Sequence, residues 1–170
     1  SVAIAYRSTN LPPEIEKLEI PDVSTADGAA RKTRLNIRWD VSDPNDDELN
    51  FLVQVRKDGW PSWIALTDAP ITQKTYEWDA SAFPSGRYQV RLIAGDRPSN
   101  SPEEALTRER DSTAFLVDHG APRVTITSEP GGRKATIALG DELTRLVKAE
   151  YAVDGGAWAA IFPDDGLFDG

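Results

Sequence analysis

Between Arg34 and Val41, the apolar residues Leu35, Ile37, Trp39 and Val41 alternate with Arg34, Asn36, Arg38 and Asp40. A period of two puts every second side chain on one face of an extended chain, so the segment predicts a strand with one buried and one wet face. Phe51, Val53 and Val55 alternate in the same way with Leu52, Gln54 and Arg56, and Tyr88, Val90, Leu92 and Ala94 with Arg87, Gln89, Arg91 and Ile93. One-sided strands of this kind are characteristic of antiparallel sheets. The predicted fold class is therefore all-β, an antiparallel β-sandwich. Its first core contains Trp39, Val53, Val55, Tyr88, Val90 and Leu92, each on the apolar phase of its strand.

Shorter strands are expected at Glu14 to Ile20, Trp63 to Leu66, Thr75 to Trp78 and Ala114 to Val117. Turn chemistry separates them: Asp43-Pro44-Asn45-Asp46-Asp47, Asp58-Gly59, Pro84-Ser85-Gly86 and Pro98-Ser99-Asn100-Ser101-Pro102. Only Pro102 to Arg110 suggests a helix, and then a short polar one. Asp96-Arg97 and Arg108 to Asp111 read as a solvated charged loop. About seven short strands over residues 11–119 suit one sandwich of roughly 100 residues. The His119-Gly120-Ala121-Pro122 stretch then marks a boundary. Residues 1–10 read as the end of a preceding domain or a linker strand, 11–119 as the sandwich, and 120–170 as a second, partial sandwich.

Composition narrows function. Asp and Glu total 28 against 19 Lys and Arg, a net charge of −9, which disfavours phosphate backbones and hence nucleic acid. No run approaches the roughly 20 apolar residues of a membrane helix. The chain has no cysteine, and His119 is its only histidine, so thiol chemistry is excluded and any His-based triad would need that one residue. No phosphate loop or nucleophile motif is present. The chain is expected to be non-catalytic and to need no cofactor.

A repeat follows the boundary. Val53 to Val55, Asp58-Gly59 and Trp63 are echoed by Tyr151 to Val153, Asp154-Gly155 and Trp158: a strand, an Asp-Gly turn and an aromatic at the return. On these residues the chain resembles the fibronectin type III-like superfamily. Trp39 sits where that family places its core Trp. The run Phe83-Pro84-Ser85-Gly86-Arg87-Tyr88 resembles the family's Leu-x-Pro-x-Thr-x-Tyr corner, with Phe83 in place of Leu, one residue tighter and without the Thr. Asp118-His119-Gly120-Ala121-Pro122 resembles the joint between tandem bacterial modules. Tyr151 to Trp158 with Pro163 to Gly166 is similar to a strand pair in modules appended to secreted bacterial β-propellers. Val2 to Tyr6 with Asn10 to Pro13 resembles the exit from such a propeller.

The resemblance implies an extracellular or periplasmic module of a larger bacterial protein. Its role would be structural or interactive, packing on neighbouring domains or another protein. The alternatives are a carbohydrate- or calcium-dependent adhesion module and an accessory domain of an extracellular enzyme. Candidate metal ligands are Asp43, Asn45 and Asp47 in the acidic turn. Calcium takes roughly 6 to 8 oxygens, but this turn lacks the spacing and glycine of an EF-hand loop. It reads as a solvated turn, and calcium is expected to have little effect. Of the two tryptophans near the Asp58-Gly59 turn, Trp63 is expected in the core and Trp60 at its edge, with sugar stacking as the alternative. Trp63 is followed by 55 residues up to Asp118, whereas Trp158 is followed by only 12. Roughly 40 residues and about three strands of the second sandwich are thus expected to be missing, which would leave an apolar face for self-association or for a partner.

Overall fold

The structure is a computed structural model that describes residues 9–20, 33–131, 134–143, 146 and 148–162. Val2 to Tyr6 and Pro163 to Gly166 lie outside the described residues. The chain divides into two compact units, Ser1–Val117 and Asp118–Gly170, two residues before the boundary read from the sequence.

The first unit is an antiparallel sandwich of eight strands among the described residues: β1 (Glu14–Glu19), β2 (Arg34–Ser42), β3 (Asn50–Lys57), β4 (Ile64–Ala65), β5 (Thr75–Asp79), β6 (Gly86–Gly95), β7 (Thr107–Asp111) and β8 (Phe115–Val117). One sheet has the order β1-β2-β5 and the other β4-β3-β6-β7, with β8 also on β6. The alternation in the sequence becomes strict burial of every second residue along β2. All six core residues named above are buried. Aromatic edges join the sheets: Trp39 meets Phe51 at 5.5 Å between centroids, and Trp78 meets Tyr88 at 5.7 Å. Such edge-to-face pairs add to the energy of burial. The indole N–H groups of Trp39 and Trp78 are both buried without a hydrogen-bond acceptor, so this core carries a polar cost that its apolar contacts offset.

No helix forms at Pro102 to Arg110. Ser101 to Glu104 makes a turn, and Thr107–Asp111 continues as β7, paired with the second half of β6. β8 pairs with the first half. Between them Ser112 bridges the break: its N–H donates to the Val90 carbonyl at 2.8 Å, and its Oγ accepts from the Val90 N–H at 3.0 Å. Cross-strand pairing overrode local helical preference here, because an unpaired β6 edge would leave ladder donors and acceptors unmet.

Arg108 to Asp111 is therefore a strand and not a solvated loop, and its arginines close a seam. The β1–β2 register slips between Ile15 and Lys17. At this irregularity Arg110 donates to the carbonyls of Ile15 at 2.6 Å and Glu16 at 2.9 Å, while Arg108 reaches the Pro13 carbonyl. Carbonyls on the edge of one sheet are thus satisfied by side chains from the edge of the other, which blunts both edges.

Tyr88 carries the second locking contact. Its hydroxyl donates to the Pro84 carbonyl, four residues upstream. Burial pushes its phenol above the usual tyrosine range. Tyr88→Phe is expected to cost about 1 to 2 kcal/mol by leaving that carbonyl without its donor. The raised phenol keeps its stabilising effect below the unfolded-state value near 10, and that effect is lost as pH rises further. Urea midpoints for both proteins at pH 8 and above pH 10 check this: the wild-type advantage at pH 8 should narrow at the higher pH.

The second unit contains β9 (Arg123–Ser128) paired with β10 (Ala135–Gly140), and β11 (Glu150–Tyr151) paired with β12 (Ala159–Ala160). Both the β3–β4 and the β11–β12 connections carry an Asp-Gly turn, but the turns differ: Asp154 and Gly155 both have positive φ, whereas at Asp58-Gly59 only the glycine does. No described residue of the second unit is buried. Val124, Ile126, Val153, Trp158 and Phe162 are all exposed.

Candidate functional site

The inward phase of two strands runs on past their ends. On β2 it passes through Leu35, Ile37, Trp39 and Val41 to Asp43. On β6 it passes through Tyr88, Val90, Leu92 and Ala94 to Asp96. Each strand thus delivers one carboxylate to the same end of the sandwich. Asp96 is fully buried and Asp43 half-buried. Asp47 joins them, and one carboxylate oxygen from each of Asp43, Asp47 and Asp96 lies within 4.8 Å of the others. Asp96 was assigned above to a solvated loop; its burial corrects that assignment, and the register of β6 is the signal that points to it.

Hydrogen bonds hold the cluster in place. Asp43 Oδ1 accepts from the N–H groups of Asn45 at 2.8 Å and Asp47 at 3.3 Å, which folds the turn back on itself. Asp96 Oδ1 accepts from the Leu106 N–H at 2.7 Å, and Asp47 Oδ2 accepts from Asn100 at 2.8 Å. The segment before β1 enters as well. Asn10 Nδ2 donates to Asp96 Oδ2 at 2.8 Å and to the Glu104 carbonyl at 2.9 Å. Asn45 holds the same segment from the other side: its Oδ1 accepts from the Leu11 N–H and its Nδ2 donates to the Thr9 carbonyl. Of the three candidates read from the turn, Asp43 and Asp47 face the cluster, whereas Asn45 spends both ends of its amide on residues 9–11.

Like charges this close repel, and none of the three carboxylates forms an ion pair with a Lys or Arg among the described residues. Lys74 lines a shallow depression with Asp43 and Asp47, but its ammonium donates to the Val41 carbonyl at 2.8 Å. The chemistry on offer is that of hard oxygen donors: carboxylates and side-chain amides.

Trp63 is not in the core. Its ring is half-buried on the outer side of the β4-β3-β6-β7 sheet, with the guanidinium carbons of Arg56 at 4.5 Å and Arg91 at 4.4 Å from its centroid. Arg91 in turn makes a two-pronged pair with Asp111, at 2.7 and 3.0 Å. Arg56 and Arg91 occupy the outward phase of β3 and β6, so a tryptophan returning across that face meets cations and not the core. Two guanidiniums thus already lie over the ring on which a sugar would stack. Trp60 packs at the core edge against Tyr88, 6.0 Å between centroids. His119 is half-buried just beyond the first unit.

Comparison with protein-family models, with curated proteins and with solved structures finds no match to this chain.

Proposed function

We propose that this chain is a non-catalytic structural module of fibronectin type III-like kind, working within a larger secreted bacterial protein as a spacer that sets the position of neighbouring domains. The observation that carries the reading is the bond from the Tyr88 hydroxyl to the Pro84 carbonyl. Sandwiches of the immunoglobulin type use such a tyrosine corner, with the hydroxyl bonded to backbone a few residues upstream. The strand order agrees: the first, second and fifth strands share one sheet, and the third, sixth and seventh the other.

A sandwich hosts many roles, so the spacer function rests on what the polar side chains do. Asn10, Asn45, Arg108, Arg110 and Ser112 all bond to backbone groups distant in sequence. They fix the path of the chain into the sandwich and close its edges, as a part that transmits position requires. The test is replacement, in the full-length gene product, of residues 9–117 by an unrelated sandwich of similar span. A spacer predicts that the activity of the whole protein survives. Loss of that activity, with the replacement folded, would overturn the proposal.

A further inference from the structure

We infer, against the expectation of little effect from calcium that the turn by itself suggested, that Asp43, Asp47 and Asp96 bind one calcium ion, with Asn10 Oδ1 as a fourth oxygen, and that the ion locks residues 9–13 onto the sandwich. The three carboxylates alone would carry little, since acidic groups often gather without an ion. What points to a ligand is two oxygens that the fold shields from solvent and leaves without any donor: Asp43 Oδ2 and Asn10 Oδ1. Asp43 Oδ1 is already used by the turn, so Oδ2 is the oxygen that remains to bind. The Asn10 amide cannot relieve its own oxygen by turning over. Its nitrogen already serves two acceptors, Asp96 Oδ2 and the Glu104 carbonyl, and a flip would set oxygen against both. Covalent geometry keeps Asn10 Oδ1 beside the nitrogen that binds Asp96.

A buried oxygen without a donor is costly unless something electropositive meets it. Here there are two, together with Asp96, which is fully buried and has no basic partner among the described residues. A divalent cation answers all of these at once, since it neutralises the mutual repulsion and takes the free lone pairs. The donor set selects the ion. Carboxylate and amide oxygens suit a hard cation; the cluster contains no His or Cys for zinc. Calcium accepts several protein oxygens in irregular geometry, whereas magnesium demands a near-ideal octahedron and retains more of its water.

The site also has a mechanical consequence. Its oxygens come from three stretches of chain: the segment before β1, the turn after β2 and the end of β6. An ion bound here adds a cross-link between the incoming chain and two loops, alongside the Asn45 bonds to Thr9 and Leu11.

The experiment titrates the full chain with calcium, and separately with magnesium, by calorimetry and thermal unfolding. Asp43→Asn and Asp47→Asn are run beside wild type; both remove charge and keep a side-chain oxygen. The expected result is one saturable calcium site, a midpoint of unfolding that climbs with calcium and much less with magnesium, and a loss of affinity of about tenfold or more in each variant. Calcium should also slow exchange of the Leu11 amide, which donates to Asn45. Should a carboxylate variant fail to fold, Asn10→Ala, which alters no charge, provides the same reading through a weakened affinity. No heat and no shift at about 10 mM calcium, ten times the weakest affinities of extracellular calcium modules, overturns the site. So does an affinity unchanged in the variants. Binding without any slowing at Leu11 overturns the lock. Each of these failures leaves the spacer proposal standing, because that proposal is tested by domain replacement.

Discussion

Trp39→Ala is expected to destabilise the first unit by about 3 to 5 kcal/mol, the range for deleting a buried large aromatic. Trp39 exposes only 3% of its surface, lies on the central strand of its sheet and meets Phe51 of the other sheet edge-to-face. Its removal takes away the largest side chain bridging the layers at that point. A compensating effect sets the position within the range. The indole N–H has no acceptor, and deleting it relieves a desolvation cost of about 1 to 3 kcal/mol. The loss should therefore fall toward the lower end. The same reasoning predicts that Trp39→Phe, which keeps a ring against Phe51 and discards the orphaned N–H, costs about 1 to 2 kcal/mol. Urea titration measures both, with a shifted midpoint and an unchanged slope marking a change in stability alone. Both variants discard the N–H, so the difference between them measures the ring packed against Phe51, and equal losses would show that this contact contributes nothing.

The second large effect is a contrast between the units. Amides of β9, β10, β11 and β12 are expected to exchange with solvent about a thousandfold faster than those of β3 and β6. Core amides exchange only through opening on the scale of global stability, some 5 kcal/mol or more. Two-stranded ribbons with no buried side chain are marginal in water, and every described side chain on β9 is exposed. Native-state hydrogen exchange on a strictly monomeric sample measures the difference. Comparable protection in both units would mean that the second has a core of its own, and that its alignment with the first sandwich through the Asp-Gly turns is wrong.

Much of the first sandwich is legible in the residues themselves. Alternation along β2, β3 and β6 specifies which face is buried, because a strand has a period of two and slipping it by one residue would expose the whole apolar set. Asp58-Gly59 and Asp154-Gly155 announce turns because few residues accept positive φ. The misreadings share a cause. Pro102 to Arg110 has helical composition, yet the open edge of β6 recruits it as a strand. Trp63 is apolar enough for a core, but the side of the sheet it crosses carries Arg56 and Arg91. Arg108 to Asp111 is charged, and its position against β1 gives the arginines carbonyls to bind.

The candidate site divides in the same way. Asp43 and Asp47 are visible as a turn rich in oxygen donors, and a turn is all that local sequence can specify, since side-chain bonds to nearby amides need no distant partner. Asp96 lies 53 residues beyond Asp43, and Asn10 precedes Asp96 by 86. Periodicity places Asp43 and Asp96 on the inward phase of their strands, but only the packing of one sheet on the other brings the strand ends together and shields Asp96 and the Oδ2 of Asp43 from water. Local physics thus determined the strands, their faces and their turns, while long-range pairing alone decided which polar groups would be buried side by side.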